Sequence, residues 1–98
     1  MPSIGPGLRI DAHGLTQLRE VTRDHPAASV WLFGSALRED DPRDIDVLIM
    51  YEDRASVAEL KAAVHRAFSG LPCDIMALTA DEESFYDFRR TVGAVRLA

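Results

Sequence analysis

Two aspartates near the middle of the chain have the type and spacing of ligands for a divalent cation. Asp44 and Asp46 stand two positions apart at the start of an apolar run, residues 44–51. Side chains at positions i and i+2 of a strand point to the same side, so both carboxylates project together. A bound cation relieves their repulsion, and Mg²⁺ is typically held by one or two carboxylates with substrate phosphates and water. The pair therefore predicts a magnesium site.

A further carboxylate, Asp74, opens a later apolar segment, Cys73–Leu78. If this segment forms a strand beside the one that carries Asp44 and Asp46, all these carboxylates meet. Such a set allows two metal ions about 3.5–4 Å apart, which clamp the attacking and leaving oxygens of a phosphoryl displacement. Asp74 is also a candidate general base. The aspartates together predict catalysis at phosphorus.

Gly34 and Ser35 follow a short apolar segment and have the residue types of a phosphate-binding turn. Glycine lets the backbone approach a ligand closely, and backbone N–H groups at such a turn bind phosphate oxygens. The Ser35 hydroxyl adds one more donor. Arg38 and Arg43 in the following loop are candidates for contact with a triphosphate, and their positions alone do not choose between them.

The elements that must position these residues can be read from the periodicity of apolar residues. Helices are predicted over Asp11 to about His25, Asp53 to about Ser69, and from the N-cap Thr79 to about Val92. Strands are predicted over Ala28–Phe33, Asp44–Tyr51, Cys73–Leu78 and, as a short edge strand, within Ala94–Leu97. Gly14 is a weak point of the first helix, because glycine there costs about 1 kcal/mol relative to alanine.

Some large side chains have simpler expected roles. Trp31 and Phe33 lie in the first predicted strand, which is apolar on both alternating faces, so we expect both residues in the core. Arg89, Arg90 and Arg96 near the end of the chain are expected to be solvated.

Length and charge limit the classes of function. The chain has 98 residues and a formal net charge of -5, with 16 acidic against 11 basic residues. We predict a flexible lead-in over residues 1–7, which is rich in proline and glycine, and a single domain over residues 8–98. The acidic balance argues against direct binding of nucleic acid, which needs clustered basic residues.

Features that would indicate export or membrane insertion are missing from the sequence. The single cysteine, Cys73, cannot form an internal disulfide, and the first residues lack the basic and apolar pattern of a signal peptide. No apolar run approaches the roughly 20 residues that cross a bilayer. We therefore expect a cytoplasmic protein without a membrane span.

The motif residues resemble those of the nucleotidyltransferases of the DNA polymerase beta superfamily, and most closely its minimal nucleotidyltransferase branch. The resemblance rests on Leu32–Ser35, then eight residues, then Asp44–Leu48, and finally Asp74 on a later strand. It covers nearly the whole chain from the first helix onward. It implies an α+β palm, in which helices flank a small mixed β-sheet.

The same resemblance implies a role for each motif residue. Gly34 and Ser35 would hold the triphosphate, Asp44 and Asp46 would bind the metal ions, and Asp74 would complete the metal and catalytic site. The implied reaction is attack of an acceptor hydroxyl on the α-phosphorus of ATP, with Mg²⁺ as the cofactor and pyrophosphate as the leaving group.

The resemblance also implies a partner. Small members of this branch often occur as antitoxins beside HEPN-type ribonuclease toxins, and some transfer AMP from ATP to a toxin tyrosine. A chain of 98 residues leaves little room for an acceptor-binding domain of its own, so a partner protein would provide the acceptor. Two alternatives stay open: a subunit of a small-molecule, antibiotic-type nucleotidyltransferase, and a catalytically silent antitoxin that acts by binding alone.

Overall fold

The computed structural model describes residues 10–39, 42–69 and 71–98, so the predicted lead-in over residues 1–7 lies outside them. The elements are α1 (Ala12–Asp24), β1 (Ser29–Phe33), a 3₁₀ helix (Gly34–Leu37), β2 (Ile45–Tyr51), α2 (Ser56–Ala67), β3 (Cys73–Thr79), α3 (Ala80–Tyr86), α4 (Phe88–Val92) and β4 (Val95–Arg96). The strands form one sheet in the order β3-β2-β1-β4. Since β2 is parallel to β3 and β1 is antiparallel to β2 and β4, the sheet is mixed. This confirms the predicted α+β fold.

The hydrophobic core lies between one face of the sheet and the helices α1 and α2. Alternate residues of the strands point to this face, while residues at helical spacing point to it from the helices. Its fully buried side chains include Leu18, Val30, Leu32, Ile45, Val47, Ile49, Leu60 and Val64. No helix within the described residues has the length and apolar character needed to span a membrane.

Gly14 lies where the backbones of α1 and α2 approach each other closely. A β-carbon at this position would stand 2.5 Å from the carbonyl oxygen of Arg66 and 2.7 Å from the Cα of Ala67. Asp11 ties the same junction together, because its N–H donates to the Ala67 carbonyl at 2.8 Å and its carboxylate accepts from the Gly14 N–H at 2.8 Å. Glycine at position 14 lowers the helix propensity of α1, but the absence of a side chain allows α1 and α2 to pack closely.

The second long helix begins three residues later than the predicted start at Asp53. Asp53 instead forms the preceding turn: its carboxylate accepts from the Ala55 N–H at 3.0 Å, and its carbonyl accepts from the Ser56 hydroxyl at 2.6 Å. Short polar side chains compete with helical hydrogen bonds in this way, which explains the late start.

The single helix predicted from Thr79 to Val92 is wrong, because α3 and α4 are separate helices. Thr79 caps α3 as predicted, and its hydroxyl accepts from the Glu82 N–H at 3.2 Å. Asp87 then adopts the left-handed conformation with φ 50°, which ends α3. The carboxylate of Glu83 accepts from the Arg89 N–H at 3.1 Å and so holds the first turn of α4.

Trp31 and Phe33 lie on the sheet face opposite the core, so the prediction that they are core residues is wrong. The fully buried residues of β1 are Val30 and Leu32, which alternate with them. Phe33 packs edge-on against Phe88 of α4, with ring centroids 5.1 Å apart. Both faces of β1 are therefore apolar for different reasons. One face packs in the core, and the other packs in a smaller layer beneath α3 and α4.

Arg89 belongs to this smaller layer and is only partly solvated, because its side chain is 38% exposed. Its side chain pairs with Glu83, which is only 5% exposed, at 3.0 Å, and lies 4.8 Å from the centre of the Trp31 ring. Arg90 and Arg96 are exposed as predicted, and Arg96 covers the other side of the indole at 5.9 Å.

Candidate active site

Asp46 stands between two neighbouring strands at one end of the sheet. It pairs in register with Phe33 of the antiparallel strand β1 and with Asp74 of the parallel strand β3. Neighbouring strands lie about 4.8 Å apart and paired residues point to the same face, so the Asp46 and Asp74 side chains are neighbours. Because Ile45 and Val47 face the core, both carboxylates lie on the opposite face of the sheet.

Asp44 lies just before β2 and not within it, so the predicted strand start is one residue early. The residue is exposed, and its carbonyl accepts a hydrogen bond from the Ser35 hydroxyl at 3.2 Å. This bond links the turn after β1 to the start of β2. The structure therefore brings Ser35 and Asp44 together through a backbone carbonyl and not through the carboxylate.

The carboxylates at this end of the sheet affect one another electrostatically. The pKa of Asp46 is raised above its ordinary value, first by partial burial and then by the negative charges of Asp74 and Asp44. The guanidinium of Arg38 acts in the opposite direction and lowers the pKa of Asp46. The site is thus an anionic cluster in which the central carboxylate resists ionisation, a condition that a bound cation relieves.

Gly34 opens the 3₁₀ helix with a left-handed backbone conformation, φ +72°. A β-carbon at this position would overlap the Oδ2 of Asp46 and lie 3.2 Å from its Cγ. The absence of a side chain therefore lets the chain turn directly against the Asp46 carboxylate. The sequence predicts a glycine for close approach to a ligand, and the structure shows that the same freedom serves approach to Asp46.

The two candidate arginines have different surroundings. Arg38 follows the 3₁₀ helix, where its N–H donates to the Ser35 carbonyl at 3.0 Å, and its guanidinium is close enough to influence Asp46. Arg43 is exposed in the bend that precedes Asp44. Arg38 is therefore the candidate arginine whose charge acts on the Asp46 carboxylate.

The donor chemistry of the cluster fits magnesium, with substrate phosphates and water as the remaining ligands. Within residues 10–39, 42–69 and 71–98, no group of three or more His, Cys, Asp or Glu side chains is arranged as a metal site. The oxygen ligands offered by Asp44, Asp46 and Asp74 are nevertheless those that Mg²⁺ takes when phosphates and water complete its octahedron. The raised pKa of Asp46 agrees with a site that is stabilised by added positive charge.

A cavity of about 400 Å³ opens beside Gly34, between the 3₁₀ helix and α4. Its lining includes Arg38 and two residues that sequence reasoning missed, Thr91 and Val92. These two belong to no recognisable motif, and only the packing of α4 beside the 3₁₀ helix brings them to the site. The carboxylate cluster and this cavity therefore lie side by side at the same end of the sheet.

A mixed sheet with this strand order, flanked by helices on both faces and carrying a Gly-Ser turn beside paired aspartates, defines an α+β protein with the polymerase beta-like nucleotidyltransferase fold. Residues 15–93 match the family model described as a nucleotidyltransferase domain, and the chain belongs to this family. Members generally use a nucleoside triphosphate with a divalent metal, so nucleotidyl transfer is the activity that the family supports. No curated protein matches the chain.

Proposed function

We propose that this protein transfers AMP from ATP to a hydroxyl group, with Mg²⁺ as its cofactor. The observation that carries the proposal is the contact of the Gly34 backbone with the Asp46 carboxylate, beside Asp74 in register on the next strand. This arrangement places a phosphate-binding type of turn directly against a cluster of carboxylates, of which the central one, Asp46, has a raised pKa. Nucleotidyl transfer needs both parts in one place, because the triphosphate and the metal bind each other.

Each residue of the site has a role in the proposed reaction. Asp44, Asp46 and Asp74 would hold magnesium, which when bound neutralises the charge that develops on the phosphates. Gly34 and Ser35 would bind triphosphate oxygens through N–H and hydroxyl groups, and these donors fix the α-phosphorus relative to the carboxylates.

The proposed chemical step is a displacement at the α-phosphorus. The acceptor oxygen forms a bond to this phosphorus while the bond to the bridging oxygen of pyrophosphate breaks, and AMP stays on the acceptor. Asp74 takes the proton of the acceptor hydroxyl, since it is exposed on the edge strand β3 where an acceptor can reach it. Arg38 counters the negative charge of the departing pyrophosphate, with Arg43 as a further cation at the mouth of the site.

We further propose that the acceptor is a tyrosine of a HEPN-type ribonuclease toxin and that the chain is a cytoplasmic antitoxin of the minimal nucleotidyltransferase branch. Exposed apolar side chains on β3 and α3 support a protein acceptor over a small molecule. Met76 follows Asp74 on the same face and is 41% exposed, and Phe85 and Tyr86 of α3 are 82% and 63% exposed. Such apolar surface on a small domain is typical of a protein interface.

A second candidate function is neutralisation of the toxin by binding alone. The observation in its favour is that the Ser35 hydroxyl is engaged by the Asp44 carbonyl, while no closed metal cage exists among the residues that the structure describes. The same exposed apolar surface would serve this function without any chemistry.

The test is transfer of label from ATP to a HEPN-type protein encoded beside this chain. The purified pair is incubated with Mg²⁺ and ATP labelled on the α-phosphate, and in parallel with ATP labelled on the γ-phosphate. We expect label from the α-phosphate alone, located on a toxin tyrosine by peptide mass spectrometry, and abolished by Asp46→Asn. The Asp24→Asn variant changes the net charge equally at an exposed position at the end of α1 and is the control.

The outcomes of this experiment separate the two candidates. Neutralisation of the ribonuclease without transfer of label, and its persistence in the Asp44→Asn/Asp46→Asn variant, would favour the antitoxin that acts by binding alone. Absence of both label and neutralisation would contradict the antitoxin role.

A further inference from the structure

We propose that the cavity beside Gly34 binds the nucleoside of the triphosphate, with the base between the 3₁₀ helix and α4. This assignment rests on the proposed function, because it takes the triphosphate to lie at Gly34 and Ser35. The cavity volume of about 400 Å³ lies in the range of pockets that hold small organic ligands. The inference adds Thr91 and Val92 to the residues that contact substrate.

The lining has the mixed character that a nucleoside requires. Phe33, Leu37 and Val92 contribute apolar surface, which suits the faces of a base. Thr91 contributes a hydroxyl that already donates to the Asp87 carbonyl at 2.8 Å, so its oxygen is left to accept a hydrogen bond from a ribose hydroxyl. Arg38 lies at the same cavity and adds guanidinium donors on the side of the phosphates.

The cavity and the carboxylate cluster are continuous through shared residues. Gly34 lines the cavity while its backbone touches the Asp46 carboxylate, and Arg38 lines the cavity while its charge acts on Asp46. A nucleotide whose phosphates lie at Gly34 therefore has this cavity directly beside it. A separate cavity lined by Tyr51, Ala58 and Lys61 shares no residue with the carboxylate cluster.

The walls of the cavity are held in place by contacts of α4. Phe33 packs edge-on against Phe88, and the buried Glu83 carboxylate accepts from the Arg89 N–H and from its guanidinium, both at 3.1 Å. These contacts fix α4 relative to β1 before any substrate binds. A preformed wall lowers the entropy that binding must overcome, so the cavity is organised for a ligand of defined shape.

The experiment compares ATP with inorganic tripolyphosphate, which carries the phosphates but no nucleoside. Both are titrated calorimetrically with Mg²⁺ into the wild type and into Val92→Trp, whose indole fills the cavity. We expect the variant to bind ATP about tenfold more weakly or worse, while its affinity for tripolyphosphate stays within about twofold of the wild type. The control Ala58→Trp fills the separate cavity beside Tyr51 and Lys61 and is expected to bind both as the wild type does.

A smaller substitution, Thr91→Val, keeps the experiment decisive if the indole disturbs folding. It removes the hydroxyl at nearly constant volume, and we expect a loss of several-fold in ATP affinity with no change for tripolyphosphate. Unchanged ATP affinity in both folded variants would overturn the nucleoside assignment and leave the proposed function intact. A wild type that binds neither ATP nor tripolyphosphate would overturn the proposed function together with the assignment.

Discussion

The backbone of Gly34 lies against the carboxylate of Asp46, so that a β-carbon on residue 34 would overlap the Asp46 Oδ2. The φ of +72° at Gly34 is a second and independent reason for glycine at this position. Strand pairing produces the contact, because Phe33 pairs with Asp46 and the chain turns immediately after Phe33. The position of the Asp46 carboxylate and the conformation of the turn at Gly34 therefore depend on each other.

Replacing Gly34 by alanine combines backbone strain with this steric conflict. We expect Gly34→Ala to lower the free energy of unfolding by about 2 kcal/mol or more and to weaken binding of Mg²⁺ and ATP. Gly93→Ala is the control for strain alone, since Gly93 has φ +66° and nothing lies within 4 Å of its β-carbon position. Urea denaturation measures the free energy of unfolding of each variant. Equal losses of stability in Gly34→Ala and Gly93→Ala would contradict a steric role of Asp46.

Replacing Gly14 by alanine tests the close packing of α1 on α2. Alanine improves helix propensity by about 1 kcal/mol, but its β-carbon would meet the Arg66 carbonyl at 2.5 Å. We expect a net loss of about 1–3 kcal/mol in unfolding free energy from the forced separation of the helices. Thr16→Ala at an exposed position of α1 is the control, and a Gly14→Ala variant more stable than the wild type would refute the packing argument.

Replacing Asp46 by asparagine should stabilise the protein while it removes the proposed function. The pKa of Asp46 is raised by burial and by Asp74 and Asp44, so the ionised form is disfavoured in the folded state. Above the folded pKa this opposes folding, and we expect a higher Tm for Asp46→Asn at pH 7 without added metal. The difference in Tm between Asp46→Asn and the wild type should shrink as the pH falls from the raised pKa of Asp46 to its ordinary value.

Thermal melts of Asp46→Asn and wild type across the acid range measure this difference, with Asp24→Asn as the control of equal charge. A variant that is less stable than the wild type at pH 7 would show that the Asp46 carboxylate stabilises the fold, contrary to the electrostatic account.

The pair of Glu83 and Arg89 should give the opposite dependence on pH. Hydrogen bonds from the Arg89 side chain and backbone lower the pKa of Glu83 below its ordinary value. The stabilisation is therefore complete above the ordinary pKa and is lost as the pH falls through the lowered one. We expect Glu83→Gln to have the lower Tm at pH 7 and to approach the wild type in acid, whereas the exposed Glu20→Gln follows the wild type throughout. A constant difference between Glu83→Gln and wild type would rule out the ionic contribution.

The sequence predicted the strands correctly where a run of apolar residues alone is enough to indicate a strand. The apolar runs Asp44–Tyr51 and Cys73–Leu78 predict two strands, and Asp46 and Asp74 occupy paired positions in the observed strands. Their in-register pairing follows once the strands are neighbours. The predicted break after Phe33 was also confirmed, because glycine with serine is a strong local signal for a turn.

The sequence was uninformative where a side chain's surroundings depend on tertiary packing. Trp31 and Val30 are both apolar residues of β1, and only the arrangement of helices decides which one faces the core. The break at Asp87 depends on Glu83 reaching the Arg89 N–H across the turn, which no helical periodicity reveals. For the same reason Thr91 could not be recognised as a neighbour of Gly34.

The central claim is that Gly34, Ser35 and the aspartates form a site for a magnesium nucleotide, and calorimetric titration of ATP tests it most directly. Titrations are made with and without Mg²⁺ into the wild type, the Asp44→Asn/Asp46→Asn variant and the control Asp24→Asn. The account predicts binding that requires Mg²⁺, persists in Asp24→Asn and disappears in the double variant. A folded wild type that does not bind ATP with Mg²⁺, or a double variant that binds it equally well, would contradict the claim.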